Sequence, residues 1–240
     1  MSTQFDFGIV NGSAVRWCHS FAKKMTERGA ISARDFGSGA VRNATDSLAD
    51  MVEGKVAELA FAQMVAANTG IRPEVNFNIY ETPLVTDTGT DLPQVRVRNE
   101  CLALRGSIDV KSTRSRSHWL LVDHFRFHSD VFVVVKAMMP DDIEKSEEHW
   151  PDLFRLGVRC KVVGFAYRHD FLDAQTGMPR YLFKAGERLF NPNTGDLIGP
   201  KLKSRLNYGM PINDLRQTPD EWFELFRWIR SSVFYGATLA

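Results

Sequence analysis

Apolar residues recur at three- and four-residue steps between positions 12 and 30, at Val15, Cys18, Phe21, Ala22 and Met25, which predicts an amphipathic helix. Residues 31–45 hold Gly37, Ser38, Gly39 and several charges and are expected to form a loop. A second helix is predicted from Asp46 to Ala67, where Met51, Val56, Ala57, Ala60, Phe61, Met64 and Val65 keep the helical period and Asn68-Thr69-Gly70 supplies a stop. The rhythm then changes. Pro73, Pro83, Gly89 and Pro93 punctuate short extended pieces, and residues 95–98 alternate as a strand does. Cys101–Lys111, Trp119–Val122, Val131–Val135 and Lys161–Tyr167 are further extended runs. Val131–Val135 is apolar at every position, as a strand covered on both faces must be.

Asp141–Asp152 is acidic and predicts a solvated loop or short helix. Glycine and proline recur through residues 173–212, so turns should dominate there. A last helix is predicted to start with Thr218 as N-cap and Pro219 at the first helical position. Trp222, Phe223, Leu225, Phe226 and Ile229 give it an apolar face, which with Trp228 is expected in the core or in a dimer contact. The order is helix, helix, mixed sheet, helix. This is α/β class, one domain with an N-terminal helical extension.

Composition adds exclusions. With 44% hydrophobic and 25% charged residues the chain is not of the disordered kind. Its three cysteines, Cys18, Cys101 and Cys160, form no close pair, so neither a zinc ribbon nor a disulfide scaffold is indicated. His118, His124 and His128 also lack metal-ligand spacing. No apolar run approaches the roughly 20 residues of a membrane span, and the start carries no leader pattern. The expectation is a cytosolic protein without a membrane partner.

The chemistry-bearing stretch is Thr90-Asp91 followed by Ile108-Asp109-Val110-Lys111-Ser112. In a strand Asp109 and Lys111 point to one face, about 6.5–7 Å apart, and Val110 to the other. A hairpin-like return could bring Asp91 beside Asp109. Two convergent carboxylates suit Mg²⁺, a hard cation that shares its shell with substrate phosphate. A lysine beside them can orient the attacking water or offset developing charge. The bland alternative is a surface ion pair between Asp109 and Lys111, worth little.

These pieces resemble the PD-(D/E)XK nuclease superfamily, the restriction-endonuclease-like fold. Glu53-Gly-Lys-Val-Ala-Glu58 on the second helix, Asp130-Val-Phe-Val-Val-Val, Val162-Val-Gly-Phe-Ala-Tyr and Asp170-Phe171 fit it as well. The likeness covers residues 46–172, leaving an N-terminal helical extension (1–45) and a loop-rich C-terminal extension with a helix (173–240), packed on the core and available for DNA or dimer contacts. It implies a mixed central sheet flanked by helices and a Mg²⁺-dependent endodeoxyribonuclease, with Mn²⁺ as a substitute. Asp91 and Asp109 would bind the metal together with the Val110 carbonyl. Lys111 would serve the attacking water, and Glu58 would assist, possibly through water, with Glu53 as second choice. The sequence departs from the family at the first acid, which follows Thr90 rather than proline and has Asp87 as a neighbour.

The net charge of +1, taken as a whole-chain sum, argues against a nucleic-acid partner. It divides unevenly, however. Residues 96–126 carry +4, residues 180–216 carry +4 and residues 141–152 carry −5. Ser112, Thr113, Arg114, Arg116, His118 and Trp119 leave the candidate site directly and suit phosphate contact and base stacking. Lys201, Lys203 and Arg205 alternate in the second basic stretch. Each patch alone is better read as a solvated face, and adjacency to the candidate site is what brings residues 111–119 forward for DNA contact. The resemblance further implies a type II restriction enzyme of bacterial, archaeal or phage origin. It would cut double-stranded DNA at a short site as a C₂ homodimer. A same-fold nuclease for repair, junction resolution or phage DNA degradation shares every catalytic residue, and a silent DNA-binding module is the non-enzyme alternative.

Overall fold

The computed structural model describes residues 8–27, 44–78, 90–113, 117–140, 142–143, 147–202 and 206–233. Strand β1 (Gly8–Val10) leads into helices α1 (Gly12–Glu27) and α2 (Ala44–Thr69). Strands β2 (Arg72–Glu74), β3 (Gln94–Val97), β4 (Glu100–Ala103), β5 (Ile108–Ser112), β6 (Trp119–Asp123) and β7 (Val131–Ala137) follow. Helix α3 (Trp150–Leu156) and strand β8 (Val158–Tyr167) come next. Strands β9 (Leu182–Phe183), β10 (Arg188–Phe190), β11 (Leu197–Lys201) and β12 (Asn207–Pro211) then precede helix α4 (Pro219–Ser231). The class is mixed α/β, as the hydrophobic pattern indicates.

The central sheet has the order β1-β8-β7-β5. β5 runs parallel to β7, whereas β8 is antiparallel to both β7 and β1. β7 is buried over Val131–Val135 because both of its faces are covered. Val131, Val133 and Val135 join a core with α1, α2 and α4. Phe132 and Val134 face the opposite way, into a core with Leu120, Val122, Phe171 and Met210. α2 is apolar on most of its circumference, burying Val52, Val56, Ala57, Ala60, Phe61, Ala62 and Val65, because it lies between the sheet and the other helices. α4 begins with a capping box: the Glu221 N–H donates to the Thr218 hydroxyl at 3.4 Å, and the Thr218 N–H donates to the Glu221 carboxylate at 2.9 Å. Its Trp222 packs on Phe165 of β8 at 4.8 Å.

Residues 8–27 are no appended extension, since β1 pairs with β8 from Gly8↔Cys160 to Val10↔Val158 and α1 completes the helical core. The C-terminal segment is equally integral. β12 pairs with β6 over five positions, and β9 adds to its other side. The N-terminal loop prediction falls mostly on residues 28–43, outside the described residues. Of the acidic stretch, the described part closes with a 3₁₀ turn running into α3. Cys18 and Cys160 are buried, and burial pushes both thiols up to about 12, so they pack as small apolar groups. Among the described residues no helix is long and apolar enough to cross a membrane.

Candidate active site

The site forms at the outer edge of β5, the strand that ends the central sheet. Asp109 and Lys111 stand opposite Phe132 and Val134 of β7, so they share the face of β5 turned away from α2. Lys111 Nζ lies 2.7 Å from Asp109 Oδ2. Val110 points to the helical side and is buried.

Thr90 and Asp91 return alongside β5 and bond to its free edge. The Asp91 N–H donates to the Ile108 carbonyl at 2.9 Å, and the Thr90 hydroxyl accepts from the Ile108 N–H at 3.1 Å. The Asp91 carboxylate then accepts the Val110 N–H through Oδ2 at 2.7 Å. In an extended strand the N–H and C=O of one residue point to the same side, so the Val110 carbonyl also faces this edge. The threonine that stands in place of proline thus pins Asp91 by a side-chain bond a proline could not make.

Glu58 reaches the same edge from α2. It is buried, and its carboxyl is raised well above 4.5, first by burial and then by the charge of Asp91, with Asp109 adding to it. Asp91 is pushed up to about 7, by burial and then by Asp109, against the lowering pull of Lys111, Lys55 and the Val110 N–H. Asp91 therefore links acids presented on opposite faces of the sheet. Glu53 is buried as well but sits about 140° away around the helix, so Glu58 is the helical acid that this edge collects.

Lys55 went unnoticed in the sequence. Its ammonium binds both Glu58 oxygens, at 2.9 and 2.7 Å. The i, i+3 spacing from Lys55 to Glu58 was the available signal. The site thus holds three acids from three chain segments and two lysines, Lys55 and Lys111. Among the described residues no group of three acids, histidines or cysteines stands ready to hold an ion. Asp109 is turned onto Lys111, Glu58 onto Lys55 and Asp91 onto the Val110 N–H.

The raised acids set a pH dependence. Carboxyls whose folded values lie above their ordinary ones stabilise the fold fully below the unfolded value, and that stabilisation is lost as pH rises through the folded value. For Asp91 the window runs from 3.8 to about 7. Asp170 shifts the other way: burial raises it, but Arg216 and the Tyr167 N–H overcome this and leave it lowered, so its contribution disappears only in acid. The protein in EDTA is therefore expected to melt at higher temperature at pH 5.5 than at pH 8. Equal or reversed melting temperatures would show that burial and mutual repulsion do not raise these acids as described.

The basic patches fare unevenly. Ser112 and Thr113 are half-buried at the end of β5, with the Thr113 N–H donating to the Val135 carbonyl at 2.9 Å. His118 is exposed, and its carbonyl accepts the Ile212 N–H at 2.9 Å. Trp119 is a correction: it is 3% exposed, and its indole N–H donates to the Phe190 carbonyl at 2.6 Å. Tyr181, Phe183 and Phe190 enclose it edge-on at 4.9–5.0 Å, so it is a core residue and offers no ring to a base. Lys201 is exposed opposite Arg188, and both line an open cavity of about 590 Å³ with Leu182, Phe183 and Leu197. Arg114, Arg116, Lys203 and Arg205, and the competing acid Asp87, lie outside the described residues.

Comparison with family models, with curated proteins and with solved structures finds no match to this chain.

Proposed function

We propose that the protein is a Mg²⁺-dependent endodeoxyribonuclease that hydrolyses a DNA phosphodiester. The observation that carries this is the gathering of Glu58, Asp91 and Asp109 from a helix, a returning loop and an edge strand, with Lys111 in ion-pair contact. A structural ion pair needs one acid for one lysine. Here three acids share two lysines, and two of the acids are raised, first by burial and then by a neighbouring carboxylate.

The donor set fits a hard divalent cation. The Val110 N–H donates to Oδ2 of Asp91, and Lys111 lies nearest Oδ2 of Asp109, so both carboxylates are oriented at this edge. With the Val110 carbonyl on the same edge, Asp91 and Asp109 are the residues that would hold Mg²⁺, or Mn²⁺ in its place. When bound, the ion supplies an acidified water and neutralises charge on the phosphate. Lys111 sits where its ammonium can orient that water. Glu58, held by Lys55, offers an acceptor from the opposite side of the edge. The buried valines of β7 and the Val110 side chain fix β5 beneath these groups, so little reorganisation is needed when charge develops.

The resemblance to type II restriction enzymes extends the proposal to cutting a short duplex site as a C₂ homodimer. Incubation with plasmid DNA and Mg²⁺ tests it. Restriction-type cutting gives discrete fragments with 5′-phosphate ends, and general degradation gives a smear. Intact plasmid would reduce the protein to a DNA-binding module or remove DNA altogether.

A further inference from the structure

Beside the acidic edge lies an aromatic stack that no feature of catalysis requires. Trp17 projects from α1 and is 57% exposed, although tryptophan is among the residues most worth burying. One face of its indole lies on Phe77, with ring centroids 4.1 Å apart at 20°. Phe77 in turn meets Phe21 edge-on at 5.3 Å, so the stack rests on a buried residue of α1.

Two separate links tie this stack to the acids. Lys55 Nζ stands 5.7 Å from both the Phe77 and the Phe21 ring centroids while it binds Glu58 at 2.7 Å. Asn76, which precedes Phe77, donates its N–H to the Asp91 carbonyl at 3.4 Å. The ring beneath Trp17 is thus linked to both Asp91 and Glu58. Lys24 lies two turns along α1 from Trp17 on the same exposed stripe, about 10 Å away, where it can meet a phosphate.

We propose that Trp17, supported by Phe77, is a stacking platform for an unpaired nucleobase of the strand whose phosphate enters the acidic edge. This deepens the nuclease proposal and rests on it. Base pairs inside a duplex have both faces covered, so an exposed indole can stack only on a base that is unpaired, frayed or at an end. The substrate therefore has single-stranded character next to the cut. A duplex-cutting enzyme meets this by unpairing a base beside the cut, and an end-, flap- or gap-processing nuclease by taking a strand that is already unpaired.

The test is binding of a labelled 20-residue thymidine oligonucleotide, followed by fluorescence anisotropy with Ca²⁺ replacing Mg²⁺ so that nothing is cut. Trp17→Ala should weaken binding by about 5- to 100-fold, the range for loss of one stacked base. Trp17→Phe should stay within about threefold of wild type, because a ring remains to stack. An abasic strand of the same length should bind wild type and Trp17→Ala equally. Unchanged thymidine binding by Trp17→Ala, or an equal loss on the abasic strand, overturns the platform while plasmid cleavage by wild type leaves the nuclease proposal standing. Wild-type protein that neither binds the oligonucleotide nor cuts plasmid overturns both.

Discussion

Asp109→Ala is expected to abolish DNA cleavage while leaving DNA binding within a few-fold of wild type. Asp109 is placed to do two things at once: it holds Lys111 at 2.7 Å, and its charge adds to burial in raising Asp91. Removing it takes away a candidate metal ligand and releases Lys111 from its position. Loss of one such group costs roughly 10²- to 10³-fold in rate when it acts alone, and here two roles fail together. Lys111→Ala should lose cleavage in the same range but keep metal binding, since both acids remain. Asp109→Ala should not unfold the protein, because the cost of three crowded acids falls when one is removed, whereas Lys111→Ala takes a counter-charge from Asp91 and Asp109 and should lower the melting temperature modestly. Gel-shift binding in Ca²⁺ beside a plasmid assay in Mg²⁺ separates the two effects. Wild-type cleavage by Asp109→Ala would mean that this edge is not the reacting centre.

Phe132→Ala should produce the largest loss of stability. Phe132 is fully buried on β7, in register with Asp109, with Phe127 stacked on it at 5.7 Å and Phe171 edge-on at 5.4 Å. Truncating such a ring costs about 3–5 kcal/mol, a large part of the roughly 5–15 kcal/mol that holds a domain together. A fall in melting temperature of roughly 10 °C follows for a chain of this size. The same change hollows the floor beneath Asp109, so residual activity should fall further than the folded fraction does. A loss below about 1 kcal/mol in urea titration would show that the second core is not packed as described.

The sequence disclosed those features whose cause is local. The stripe from Met51 to Val65 spells out a helix wherever it packs, and it is found from Ala44 to Thr69. Thr218-Pro219 carries its own capping chemistry, and the all-apolar run at Val131 requires two covered faces in any fold. The Asp109 and Lys111 spacing likewise fixes a shared face once β5 forms. Strand alternation alone could not place Asp91, whose position depends on the hydroxyl of Thr90 reaching Ile108. Long-range partners explain what was missed. β12 contains Gly209 and Pro211, which suggest a turn. Yet Gly209 is needed there because a Cβ would come 2.5 Å from the Phe183 ring. Trp119, beside two arginines and a histidine, looked like a surface ring until residues some 60–70 positions later closed over it. β1 is only three residues long and becomes a strand through β8. The Trp17–Phe77 stack joins residues sixty positions apart, and the helical period of α1 merely left Trp17 off the buried stripe.

The central claim is that the edge collecting Glu58, Asp91 and Asp109 is a metal-dependent DNA-cleaving centre. Plasmid nicking measured across a Mg²⁺ titration, for wild type and for Asp91→Asn, tests it most directly. Wild type should convert supercoiled plasmid with a saturable dependence on Mg²⁺ and stop in EDTA, and Asp91→Asn should leave the plasmid intact at every concentration. Cleavage that persists in EDTA, or that Asp91→Asn matches, would contradict the account.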